Sequence, residues 1–122
     1  MIPWRAALIG GLLMVAAPVC AHDSAGRNGG RVTDAGKYHV ELVAKDRAVE
    51  VYVFDSRDQP VPAAGFKGTA TLVANGKPAR IALNPGDGNK LTGNAEVALP
   101  AKPKGAVQLT APDGASASGK FN

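Results

Sequence analysis

The sequence predicts an all-β domain, an antiparallel β-sandwich of about seven strands. Three observations predict it. Short runs with an apolar residue at every second position recur from Arg31 to the end. Gly and Pro, 15 and 9 of the 122 residues, fall largely between those runs. No stretch beyond the first 21 residues carries a convincing helical period.

The N-terminal stretch differs from the rest. Arg5 precedes an apolar run over residues 6–19, and Val19 and Ala21 are small enough for the −3 and −1 positions of a signal-peptidase site. The run is shorter than the roughly 20 residues of a permanent membrane anchor. Residues 1–21 are therefore expected to be a cleaved secretory signal peptide, leaving a periplasmic protein with no stable membrane insertion. Lipid attachment at Cys20 is disfavoured, because Val19 stands where lipoprotein signals take Gly, Ala or Ser. The next segment, "HDSAGRNGG" (22–30), has no period and reads as a flexible N-terminal arm; residues 31–122 form the sandwich domain.

"YHVELV" (38–43) sets Tyr38, Val40 and Leu42 on one face and His39 and Glu41 on the other. "AVEVYVF" (48–54) follows, with Val49, Val51 and Val53 on one face and Glu50, Tyr52 and Phe54 on the other. With Asp46-Arg47 as the hairpin loop, Glu41 faces Tyr52 and His39 faces Phe54. With Lys45-Asp46 as the loop, Glu41 would face Glu50. Like charges opposed across a hairpin are unfavourable, and Asp suits the first loop position, so the first register is expected. "DSRDQPVP" (55–62) is a turn region. "GTATLVA" (68–74) and "ARIAL" (79–83) form a hairpin about Asn75-Gly76, the strongest turn signal in the chain. "NPGDGN" (84–89) reads as a loop. Strands at 95–100, 106–112 and 116–121 complete the series. The buried set is expected to include Val40, Leu42, Val49, Val51, Val53, Leu72, Ile81, Leu83, Val97, Leu99, Val107 and Leu109. Paired cysteines and a core tryptophan are absent once the signal is removed, so the sandwich is immunoglobulin-like in architecture only.

Composition removes several function classes. Loss of residues 1–21 takes away the only cysteine and leaves 101 residues with 13 basic and 10 acidic side chains, a net charge of +3. Disulfides, thiolate metal sites and cysteine nucleophiles are excluded from the mature chain. The basic residues are scattered, which argues against nucleic acid. No GxSxG segment supplies a nucleophile elbow. The loop "NPGDGNK" has one carboxylate, Asp87, too few for a calcium cage. No enzymatic activity is expected.

The chemistry left concerns the two histidines. Cleavage after Ala21 makes His22 the first residue. Its α-amine and ring Nδ1 can then chelate one ion, because an α-amine with a pKa near 7.7–8.0 gives up its proton to a metal at neutral pH. Such a nitrogen pair suits Cu(II), which tops the divalent affinity order. His39 lies on the outward face of its strand, and the glycines at 26, 29 and 30 allow the arm to fold back and bring His22 to it. Asp23 or Glu41 could add an oxygen. The candidate metal ligands are His22, His39, Asp23 and Glu41.

The run "NGGRVTDAGKYHVELVAKDRAVEVYVFDSRDQPV", with "ALNPGDGNKL" and "SASGKF", resembles small periplasmic β-sandwich proteins and domains associated with bacterial heavy-metal efflux and resistance. Members read His-Gly-Gly near the start and a Tyr-His or similar pair before Glu-Leu-Val. His39, Glu41, Leu42 and Val43 match the second block, and Gly29 and Gly30 the first. Asn28 stands where the group has its first histidine, and His22, six residues upstream, could substitute for it. The resemblance implies a metal-related periplasmic role and a heavy-metal efflux component as partner. The expected function is a copper-binding accessory or carrier. The alternative is a module that binds no metal and docks on an efflux or envelope component through exposed Tyr52 and Phe54. A copper oxidase or monooxygenase built on His22 has less to support it, since substrate-shaping loops are hard to find.

Overall fold

A computed structural model describes residues 24–122 of the chain. Residues 1–21, expected to be a signal peptide, and the residues His22 and Asp23 lie outside the described residues. The described chain is all β and antiparallel throughout, in nine strands: β1 (Ser24–Ala25), β2 (Arg31–Ala35), β3 (Tyr38–Lys45), β4 (Ala48–Phe54), β5 (Lys67–Ala74), β6 (Lys77–Pro85), β7 (Lys90–Asn94), β8 (Gly105–Thr110) and β9 (Ser116–Phe121). Among the described residues no helix is long and apolar enough to cross a membrane.

The strands hydrogen-bond in one unbroken order, β1-β2-β3-β4-β7-β6-β5-β8-β9. The bend falls at β6, whose main length pairs with β5 while its last two residues, Asn84 and Pro85, pair with β7. The sheet curls into a half-barrel that brings its far end back over β2. There the two chains lie so close that a Cβ on Gly119 would come within 2.8 Å of Thr33 Cγ2 and 2.9 Å of the Asp34 carbonyl oxygen. Arg31 fastens the closure. Its guanidinium lies 5.6 Å from the Phe121 ring centroid and donates to the carbonyls of Asn122 and Pro103. The all-β, antiparallel class is as expected; the described strands number nine rather than about seven, and they join in one curled sheet.

The core fills the inside of the curl. Val40, Leu42, Val49, Val51 and Val53 project from β3 and β4; Leu72, Ile81, Leu83, Val107, Leu109 and Phe121 face them from the other limb. Tyr38 and Phe66 meet edge to face, ring centroids 5.4 Å apart. Of the twelve core positions expected, Val97 alone is out, 40% exposed.

Its exclusion reflects a misplaced strand. Residues 95–100 are not a strand; the strand is β7, just before them. The sequence signal misleads because β7, "KLTGN", holds a single large apolar side chain, Leu91, which is fully buried. Gly93 carries no side chain for a reason of space: a Cβ there would overlap the Ala82 carbonyl of β6. The following segment looks amphipathic but serves as a strap. Its amides at Ala95 and Leu99 donate to the carbonyls of Arg47 and Asp46 in the β3–β4 loop, at 2.8 Å each.

Both hairpin predictions hold. Asn75 and Gly76 have positive φ, 52° and 77°, as a type I′ loop requires. Asp46 also has positive φ, 59°, and the register sets His39 opposite Phe54 and Glu41 opposite Tyr52.

Candidate functional site

On a half-solvated strand, burial alternates. On β3 it does not: residues 40–43 are all buried. Val40 and Leu42 face the core, while Glu41 and Val43 point to the outer face and are buried there as well, Glu41 at 0% exposure. A carboxylate so enclosed must be hydrogen-bonded. Glu41 is: its Oε2 accepts the backbone N–H groups of Asn28 and Gly30, each at 2.8 Å, and its Oε1 accepts the side-chain amide of Asn28 at 2.9 Å. The donors belong to the segment expected to be a flexible arm. Its described part folds as a short strand and a turn, closed by the amide of Gly26 on the carbonyl of Gly30 at 2.8 Å.

β1 pairs along the edge of β2, Ser24 with Val32 and Ala25 with Arg31. Further along the outer face a second row runs Asp34–His39–Phe54 across β2, β3 and β4. The β2–β3 hairpin turns at Gly36, φ 60°, which fixes Asp34 opposite His39. The imidazole of His39 sits between two carboxylates. Nδ1 is 2.7 Å from Asp58 Oδ1 and Nε2 is 3.3 Å from Asp34 Oδ1. The ring is 28% exposed and both acids are largely exposed.

Asp58 is delivered by the loop after β4. Asp55 Oδ1 accepts the backbone N–H groups of Arg57 and Gln59, at 2.8 and 3.0 Å, and Asp58 takes positive φ, 63°. Those two hydrogen bonds, first from Gln59 and then from Arg57, hold the Asp55 carboxyl below its ordinary value. The same loop meets the arm, where Arg27 donates to the Asp58 carbonyl at 2.7 Å and lies 4.6 Å from the Phe54 ring centroid. Phe54 is thereby buried, 5% exposed. It does not offer the docking surface expected of it. Tyr52 is half-buried beside it, its hydroxyl 3.2 Å from Glu50 Oε1, while Lys90 Nζ lies 3.3 Å from Glu50 Oε2. Burial first, and then the Glu50 charge, push the Tyr52 phenol up; the hydrogen bond to Glu50 raises Lys90.

Comparison with protein-family models, with curated proteins and with solved structures finds no match. The reading of the site therefore rests on the chain's own geometry.

Of the four expected metal ligands, His22 and Asp23 lie outside the described residues. Among the described residues no group of three His, Cys, Asp or Glu side chains surrounds a point where an ion could sit. His39 and Glu41 lie two residues apart on one face of β3, and each has its own partners. Sequence reasoning missed Asp34 and Asp58. The signal for Asp34 was present, since a tight turn at "AGKY" sets it opposite His39. Asp58 is brought in by the 55–59 loop, for which a linear pattern gives no direction.

Proposed function

We propose that this is a periplasmic, non-enzymatic metal-binding accessory or carrier, that its metal is Cu(II), and that it serves a heavy-metal efflux or resistance system. One observation supports the reading above the rest: Asp34 and His39 lie opposite each other in a cross-strand row on the outer face, beside the edge that β1 joins.

The donors in that row suit copper. Two ligand atoms each about 2 Å from one ion lie about 3 Å apart, and Asp34 Oδ1 and His39 Nε2 are 3.3 Å apart. Asp58, on Nδ1, plays the part of the carboxylate that orients a ligating imidazole and fixes its tautomer. The amine and Nδ1 of a processed His22 would bring the set to three nitrogens and one oxygen, a tetragonal Cu(II) arrangement. Asp34 is thus a better oxygen donor than Glu41, whose oxygens already accept three N–H bonds.

The test is titration of Cu(II) into protein beginning at His22, with nitrogen ligands counted by electron paramagnetic resonance. Three variants are compared: His39→Ala, Asp34→Ala, and one residue added ahead of His22. Each should weaken binding by at least about tenfold, and the addition should remove the amine from the ligand set. Equal affinity in all four proteins would overturn the proposal and leave a metal-free docking module on an efflux or envelope component as the better account.

A further inference from the structure

We propose that the outer face of the β5–β6–β8–β9 limb is a docking surface for an anionic lipid bilayer, on which the protein rests flat with its His39 face turned away from the lipid. The proposal stands on the described residues alone and does not depend on a bound metal.

The outer face of the other limb is already occupied. The arm lies over it, with Gly26 so close to Glu41 that a Cβ there would overlap the carboxylate; a side chain as large as valine would push the arm off its seat. The strands β5, β6, β8 and β9 carry no such cover among the described residues. Thr71, Val73, Arg80, Gln108, Ser118 and Lys120 point outward there and are exposed.

The register distributes the cations. Arg80, Thr71, Ala106 and Lys120 form one cross-strand row. Lys104 lies at the next level, where its carbonyl accepts the amide of Val73 at 2.8 Å. Lys67 lies two rows the other way, opposite Thr110. Rows on one face repeat about every 7 Å and strands stand about 4.8 Å apart, so the four charges are spread over the whole face. Its outward strand positions hold no Asp or Glu. Asp87 and Asp113 belong to turns beyond the rows, and Asp113 curls back to accept the amide of Ala115 at 3.0 Å. Among the described residues none of the four cations is ion-paired; His39 pairs with Asp34 and Asp58, and Lys90 with Glu50, away from this face.

The shape favours lipid over an acidic protein segment. Such a segment asks for cations along one line or one cleft. Here they are dispersed, and the side chains between them, Thr69, Thr71, Ala82, Ala106, Gln108 and Ser118, are short. The hollow bordered by Val73, Lys104, Ala106 and Lys120 is shallow and open. No aromatic side chain stands among the outward residues to stack on a base. A plane of anionic headgroups attracts such a face cation by cation. Val73, 41% exposed beside Lys104, is placed to enter the interfacial layer once the face is down. The core lies between the limbs, so the two outer faces point in opposite directions, and a protein held this way keeps the arm and the Asp34–His39 row on the aqueous side.

The test is co-sedimentation at low salt with vesicles of phosphatidylcholine containing roughly one-third phosphatidylglycerol. It uses protein beginning at His22, because the apolar run over residues 6–19 would enter lipid by itself. The parent should bind these vesicles, should ignore pure phosphatidylcholine, and should be released as added salt shortens the screening length. Each surface cation contributes about fivefold to such binding, so Lys67→Gln, Arg80→Gln and Lys120→Gln together should lower it about a hundredfold. Lys37→Gln, Lys45→Gln and Lys102→Gln remove the same charge from exposed positions off this face. That second triple should change binding by less than about threefold, because the bilayer is then beyond the screening length of the altered sites. Urea unfolding of both triples checks that each is folded. Equal losses in the two would make net charge the cause and overturn the proposal. A parent that does not bind the anionic vesicles would overturn it too, and soluble polyglutamate bound by that parent but not by the face variant would put an acidic protein in the lipid's place.

Discussion

The two limbs of the curled sheet present very different outer faces. On the β5–β6–β8–β9 limb, burial follows the strand period: Leu72 is buried between exposed Thr71 and Val73, and Ile81 between exposed Arg80 and Ala82. Outward residues there, such as Gln108, Ser118 and Lys120, are exposed. On the β2–β3–β4 limb the outward residues Glu41, Val43 and Phe54 are buried, while His39, Glu50 and Tyr52 are partly covered and Asp34 is exposed. Both limbs are written in the same alternating pattern. One is covered by water and the other by a returning segment of its own chain. Alternation tells which residues leave the core, and it is silent on what meets them outside.

The largest expected effect tests that contrast. Glu41→Ala leaves two buried backbone amides without an acceptor and should lower the unfolding free energy by about 3 kcal/mol. Thr71→Ala, its outward counterpart on the other limb, should stay within about 0.5 kcal/mol of the parent. Urea unfolding of the two variants side by side measures the difference, and equal costs would mean that the faces are not distinct.

A smaller effect concerns the cover over Phe54. Arg27→Ala removes a cation from the ring and a donor from the Asp58 carbonyl. It should cost about 0.5–1 kcal/mol. Thermal denaturation should show the loss only while the arm is in place, so Gly26→Val combined with Arg27→Ala should be no less stable than Gly26→Val alone.

The smallest effect is one of pH. The Asp55 carboxyl is held below its ordinary value by the N–H groups of Gln59 and Arg57. A group depressed in the folded state contributes stability above its unfolded pKa, and that contribution disappears as the pH falls through the folded value. Acid should therefore loosen the 55–59 loop on the arm-side limb first. The amide resonances of Arg57 and Gln59 should titrate together below the ordinary carboxylate range, and a midpoint at the ordinary Asp value would contradict it.

Much of the fold was legible because it is local. The loop residues Asp46 and Arg47 set the first hairpin, and from them the pairing of His39 with Phe54 and of Glu41 with Tyr52 follows by counting. Asn75-Gly76 did the same for β5 and β6. What escaped is held by distant partners. β7 is a strand because β4 and β6 flank it, although its own residues are mostly polar or small. Residues 24–30 of the arm pack down because Glu41 lies beneath them, and their glycines, which suggest looseness, are what allow the chain to approach that carboxylate. The candidate site divides the same way. His39 was visible in the sequence, whereas Asp58 reaches it only through the cage of hydrogen bonds around Asp55.

The strand order also constrains how the molecule assembles in time. The hairpins β2–β3, β3–β4, β5–β6 and β8–β9 join neighbours in sequence and can close early. The pairings β4–β7 and β5–β8 join segments far apart, Ala48 with Asn94 and Lys67 with Thr110, and each must gather a long intervening chain before any ladder bond repays the lost freedom. The arm-side limb, β1 to β4, contains no such pairing within itself. The surface that carries Asp34, His39 and Glu41 is thus the part of the molecule that contiguous chain can build alone, and the long-range pairings need only seal the core behind it. In a pulse-labelled refolding experiment, amides of β3 should gain protection ahead of those of β7.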